Sequence, residues 1–188
     1  MSRLRFRFQT VEFGDDDIHV RSLRDLQQFS DDQGAAESLG ISSAQWSLFG
    51  VLWASSFVLA DLMAGFPVGT RRVLEVGSGL GLASLLLNHR GHDVTAMDRH
   101  PCANAFMDVN TALNGDPTIP FFEGCWDDDT LDMPRFDLII ASDILYEDPH
   151  AVQLAAFVIR RAAPACEVII VDAGRGQRKR LDALLAVA

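Results

Sequence analysis

The chain has 188 residues, 48% hydrophobic and 22% charged, which suits a single globular domain and excludes a disordered or fibrous one. A chain of this length buries about 70% of its unfolded surface and needs no covalent staples to fold. Lys and Arg number 16 against 26 Asp and Glu, for a net charge of −10, and that disfavours broad nucleic-acid binding, where phosphates are neutralised by Lys and Arg.

Arg3 to Phe13 alternates Arg and Gln with Leu, Phe and Val. Gly14-Asp15-Asp16-Asp17 reads as a turn, and Ile18-His19-Val20 resumes a strand, giving an N-terminal β-hairpin. Asp25 to Gly40 is polar and reads as a loop with a helical piece. Ser42 or Ser43 is placed to cap a helix running to about Ala64, with Trp46, Phe49, Trp53 and Phe57 as one apolar stripe. From Arg72 the pattern becomes strand, helix, strand, helix. Val73 to Val76 is a short buried strand, Leu82 to His89 a helix, and Asp93 to Met97 a second strand with Asp98 at its tip. Pro101 opens a helix that Gly115 ends. Ile119 to Phe122 is a weaker third strand, pushed towards a sheet edge by Pro120. Phe136 to Ala141 is a strong fourth strand, Pro149 to Ala163 a helix, Val168 to Val171 a fifth strand, and a last helix starts near Gln177. The fold class is therefore α/β, a parallel sheet with helices on both faces. The expected organisation is an extension over 1–40 and a main domain over 41–188.

Cys102, Cys125 and Cys166 are odd in number and form no CxxC pair, so neither a disulfide framework nor a zinc site is indicated and a reducing cytoplasm is expected. The longest apolar stretch, Gly50 to Ala60, is interrupted by Ser55 and Ser56 and is too short to span a bilayer. The histidines His19, His89, His92, His100 and His150 show no metal-ligand spacing, and surface positions are expected for them.

The chemistry concentrates where the first parallel strand runs into Glu75-Val76-Gly77-Ser78-Gly79-Leu80-Gly81. Glycines between a strand and a helix let the backbone approach a ligand. Gly77 and Gly79 fit a dinucleotide fingerprint, but its third glycine position holds Leu82. An acid at the next strand tip, Asp98, suits the ribose hydroxyls of any adenosine-containing cofactor. The segment resembles motif I of the class I, Rossmann-like S-adenosylmethionine (SAM) methyltransferases, over roughly Trp46 to Arg175. More narrowly it resembles the branch that methylates protein lysines and protein N-termini, whose bacterial members are called nicotinamide N-methylase-like. Leu52-Trp53-Ala54-Ser55, Cys125-Trp126-Asp127 and Ser142-Asp143-Ile144-Leu145-Tyr146 carry that closer likeness.

The resemblance implies SAM as cofactor, held by Trp53, Glu75, Gly77, Ser78, Gly79, Gly81, Asp98, Arg99, Trp126 and Ser142. Asp143 and Tyr146 are then the catalytic pair: Asp143 receives the substrate amine and Tyr146 supplies a wall and a hydroxyl. Each has a plainer alternative. Glu75 suits a helix N-terminus, Asp98 and Asp143 suit helix caps, and Trp53 and Trp126 suit core packing. The implied acceptor is a protein lysine or N-terminal amine, with a small-molecule amine or a non-catalytic SAM-fold binding module as alternatives. Nucleic acid and membrane are not expected partners. An adenine methylase would resemble Pro-Pro where Ile144-Leu145 stands. The family's sheet ends in an antiparallel hairpin that is not legible here. After Arg175 the sequence has 188 − 175 = 13 residues, room for one helix. Either the sequence is a piece of a longer protein or its sheet is shortened, and the fifth strand is expected at an open edge.

Overall fold

The computed structural model describes residues 4–25, 31, 34–39, 41, 48–147, 149–174 and 176–186. The chain opens with β1 (Phe6–Phe13) and β2 (Asp16–Leu23), paired antiparallel from Phe6 opposite Leu23 to Phe13 opposite Asp16. The connecting turn has φ of +68° at Gly14, the left-handed geometry that a tight hairpin turn requires. Next come α1 (Ala35–Ser38) and α2 (Ala54–Gly65). Strands and helices then alternate as β3 (Val73–Val76), α3 (Leu82–His89), β4 (Val94–Asp98), α4 (Ala103–Leu113), β5 (Phe121–Glu123), β6 (Phe136–Ser142), α5 (His150–Arg161), β7 (Ala162–Val171) and α6 (Arg178–Leu185).

The parallel strands form one sheet in the order β5-β4-β3-β6-β7. Side chains alternate between its faces. Val73, Leu138 and Ile140 enter a core shared with Leu59, Met63 and Leu85, while Leu74, Val76 and Ile139 enter a second core with Leu154 and Phe157. Burial on both faces explains why these strands read as continuous apolar runs. From β3 the chain winds first towards β4 and β5, then crosses back to β6. The C-terminal ends of β3 and β6 therefore flank the point where winding direction reverses, the place where open α/β sheets bind ligands.

The hairpin docks on α4 and α3. Ile18 and Val20 join the first core. The outer edge of β2 is capped by side-chain amides: the His19 N–H donates to Asn114 Oδ1 at 2.8 Å, Asn114 Nδ2 donates to the His19 carbonyl at 2.9 Å, and the Arg21 N–H donates to Asn110 Oδ1 at 2.8 Å. Two asparagines one helical turn apart thus stand in for a neighbouring strand.

Three sequence expectations need correction. Of the helix expected from Ser42 or Ser43 to Ala64, residues 42–47, including Trp46, lie outside the described ones, residues 48–53 are not helical, and the described helix runs from Ala54 with Trp53 as its extended N-cap. Gly50 adopts φ of +89°, which no right-handed helix accommodates, so Phe49 and Phe57 do not share a helical stripe. The helix expected to end at Ala163 stops at Arg161, and β7 starts at Ala162 with a register shift between its pairings to Phe136 and Leu138. Pro164 disfavours helix at Ala163 and lacks a ladder donor, so the chain extends and bulges there. Lastly, His100 and His150, expected at the surface, are buried at 5% and 4% exposure.

Candidate active site

β3 delivers the glycine loop to the switch point. Gly77, Gly79 and Gly81 have φ of +63°, +55° and +66°, so the loop depends on glycine at each. A Cβ at Gly77 would stand 2.5 Å from Ile144 Cγ2, whereas one at Gly79 would meet nothing within 4 Å. Gly77 thus lets the loop lie against the segment after β6, and Gly79 leaves its face open.

Two carboxylates order this loop from different sides. Glu75 is 1% exposed, and its Oε2 accepts the Ser84 N–H at 2.9 Å and the Ser84 hydroxyl at 2.5 Å. It therefore satisfies the first turn of α3 from beneath. Burial raises its pKa from 4.5 to about 7 against the pull of the Ser84 hydrogen bonds, with Asp98 adding to the rise. Glu75 is not among the residues lining the cavity described next. Asp98 is, and both its oxygens accept backbone groups: Oδ2 from the Gly79 N–H at 2.8 Å, Oδ1 from the His100 N–H at 2.7 Å. Desolvation raises its pKa, opposed by those backbone hydrogen bonds and by Arg99. The loop, the tip of β4 and the turn into α4 are thus tied through one side chain.

Around them lies a cavity of about 420 Å³, within the range of small-molecule sites. It brings together every cofactor-binding candidate read from the sequence except Glu75, along with Asp143 and Tyr146. The Ser78 hydroxyl is buried there with no hydrogen-bond partner among the described residues, and a polar group of a ligand would satisfy it. Trp53 closes one side, its indole N–H donating to the Leu48 carbonyl at 3.0 Å.

The segment after β6 supplies the other wall. Asp143 holds φ of +57°, left-handed for a non-glycine residue, and its N–H donates to the Val171 carbonyl at 2.9 Å. Such strain gathers at functional sites. The next helix starts only at His150, with Pro149 as its N-cap and no side-chain cap bond. Tyr146 is 38% exposed; desolvation raises its pKa, with the Arg99 guanidinium pulling the other way.

Sequence reasoning missed the two buried histidines of this cavity. His150 Nδ1 lies 2.8 Å from the Ile144 carbonyl, which can only accept, so that nitrogen carries the proton. The ring meets Tyr146 edge-on at 4.6 Å and Trp126 at 5.1 Å, so it braces the segment bearing Asp143 and Tyr146. His100 stacks on Phe49 at 3.7 Å, and burial pulls its pKa down to about 4, leaving it neutral. His150 follows Tyr146 by four residues and His100 follows Asp98 by two, and neither spacing marks a buried histidine.

Comparison with known proteins bears on this geometry. A family model described as lysine methyltransferase matches residues 39–181. Among solved structures, a ribosomal protein L11 methylase from Lactobacillus delbrueckii subsp. bulgaricus aligns with a TM-score of 0.61 at 22% identity, covering 74% of this chain and 70% of that one. The Thermus thermophilus 16S rRNA N2 G1207 methyltransferase, solved with AdoMet and guanosine, aligns at 0.68 and 16% identity over 96% of this chain and 46% of its own. A TehB-like SAM-dependent methyltransferase from Corynebacterium glutamicum aligns at 0.54 and 19% identity, covering 81% of each chain. At such identities these structures establish the fold alone. A comparison with curated proteins found no match.

Proposed function

The chain belongs to the lysine methyltransferase family, and from that premise we propose that it is an N-methyltransferase acting on a protein lysine or a protein N-terminal amine in the cytoplasm. It is a methyltransferase, and its cofactor is S-adenosylmethionine. When bound, that cofactor supplies an electrophilic methyl group on a sulfonium.

The remaining chemistry is the protein's own. The glycine loop presents the open face at Gly79 and the orphaned Ser78 hydroxyl to the cofactor. Asp98 accepts ribose hydroxyls on lone pairs left over from its two backbone bonds. Arg99, Ser142, Trp53 and Trp126 complete the cradle, and Glu75 acts through it by fixing the start of α3. Methyl transfer to an amine creates no net charge, so orientation dominates the catalysis. A lysine amine is protonated at neutral pH and must arrive as the free base. Asp143 draws in the ammonium and, once its proton has passed to solvent, accepts a hydrogen bond from the amine and aims its lone pair, and Tyr146 walls the approach.

The observation that carries this reading is Asp143: a carboxylate held in a strained conformation at the switch point, in one cavity with the glycine loop and Asp98. A protein substrate is favoured over nucleic acid by the net charge of −10, which repels phosphate backbones. The test is Asp143→Asn, since Asn tolerates the left-handed backbone and preserves the shape. Asn still offers an acceptor but cannot draw in an ammonium, so turnover should fall by about 100-fold, the scale of a misplaced reacting group, with SAM affinity unchanged. Full turnover removes Asp143 from the mechanism.

A further inference from the structure

Beside the cavity, and sharing Val51, Leu52 and Trp53 with it, runs a second groove between the hairpin and the start of α2. Its apolar floor ends at Phe57, which is 36% exposed. Its hairpin wall carries Arg7 and Arg24, both exposed and without an ion-pair partner among the described residues. Asp25 also lines it, but pairs with Arg5 at 3.0 Å.

Charge on the hairpin is segregated along its length. The turn end bears Glu12, Asp15, Asp16 and Asp17, while the open end bears Arg5, Arg7 and Arg24 with Asp25 alone opposing them; Arg21 lies on the other face, over Phe6 and Phe106. On a chain of net charge −10, this is a local reversal of sign at the mouth of the site. It attracts a short anionic segment beside the cavity.

We propose that this groove seats an acidic segment of the protein substrate, flanking the amine that enters the cavity. The proposal rests on the protein-methylating reading and extends it to the sequence around the target. Arg7 and Arg24 pair with carboxylates of the segment, and Trp53 and Phe57 cover its apolar side chains. A nucleic acid is the weaker occupant, because two cations meet few phosphates and a net charge of −10 repels the remainder.

Fluorescence polarisation tests this with three labelled probes of equal length. One is a synthetic peptide with a single lysine among glutamates, one carries it among further lysines, and one is a single-stranded oligouridine. The acidic peptide should bind tightest, and Arg7→Glu/Arg24→Glu should weaken it at least tenfold and strengthen the basic peptide. SAM affinity, measured on the same samples, should not change. Equal binding of both peptides, indifference to the charge reversal, or tighter binding of the oligouridine each overturns the proposal. Because the readout is binding and not transfer, failure of the methyltransferase reading would show separately, as absence of SAM binding.

Discussion

At Asp98, one side chain ties two loops: it accepts the His100 N–H in the turn before α4 and the Gly79 N–H of the glycine loop. Asp98→Ala should therefore weaken SAM by about 1.5–3 kcal/mol, the range for hydrogen bonds to a charged group. Calorimetric titration at unchanged circular dichroism measures it, and an unaltered affinity reduces Asp98 to a cap. Glu75 makes a prediction about pH. Its folded pKa of about 7 lies above the ordinary 4.5. The folded state thus keeps a proton that the unfolded state releases, and stability falls as pH rises from 4.5 to about 7. Glu75→Gln keeps an acceptor for Ser84 and removes that loss. At pH values above this window the variant should gain on the order of 1–3 kcal/mol over the parent. Denaturant melts on both sides of the window check this, and equal pH dependence in the two proteins contradicts it.

Among the elements, β3, β4 and β6 were legible because each is a short apolar run ending in turn residues, whereas the start of β7 at Ala162 fell within the expected helix. β5 was legible as an edge through Pro120, which sits just outside its ladder and accepts the Ala96 N–H at 2.9 Å. The segment before α2 was not legible. Over residues 48–53 the spacing of Phe49, Trp53 and Phe57 imitates a helix, and the left-handed Gly50 breaks it: the Leu23 N–H donates to the Gly50 carbonyl at 2.6 Å. That contact joins residues far apart in sequence, which local patterning cannot reveal. A Cβ at Gly50 would stand 2.5 Å from Leu23 Cδ1, so Gly50→Ala combines a clash with a left-handed strain of about 1–3 kcal/mol. The variant should melt lower and lose SAM affinity, since Phe49, next in the chain, stacks on His100 in the cavity. A variant that melts as the parent does would separate the hairpin from the site. The histidines were misread for a related reason. Nothing local distinguishes a buried His150 from an exposed one until Ile144, Tyr146 and Trp126 close around it.

In the whole molecule, two cores hold one sheet, and the winding reversal at β3 and β6 brings the motif I glycines and the Asp143 segment to a single cavity. The sequence pattern located both motifs, but their meeting required the strand order β4-β3-β6, which places residues 75–81 and 142–146 side by side. Among the described residues no helix is long and apolar enough to cross a membrane. On the proposed function this cavity methylates protein amines. Incubation of cell lysate with the enzyme and deuteromethyl-labelled SAM, followed by residue-resolved mass spectrometry and counting of label in RNA and small amines, tests it most directly. The account predicts label on lysine ε-amines or N-terminal α-amines, absent with Asp143→Asn. Label confined to RNA or to small amines would contradict it.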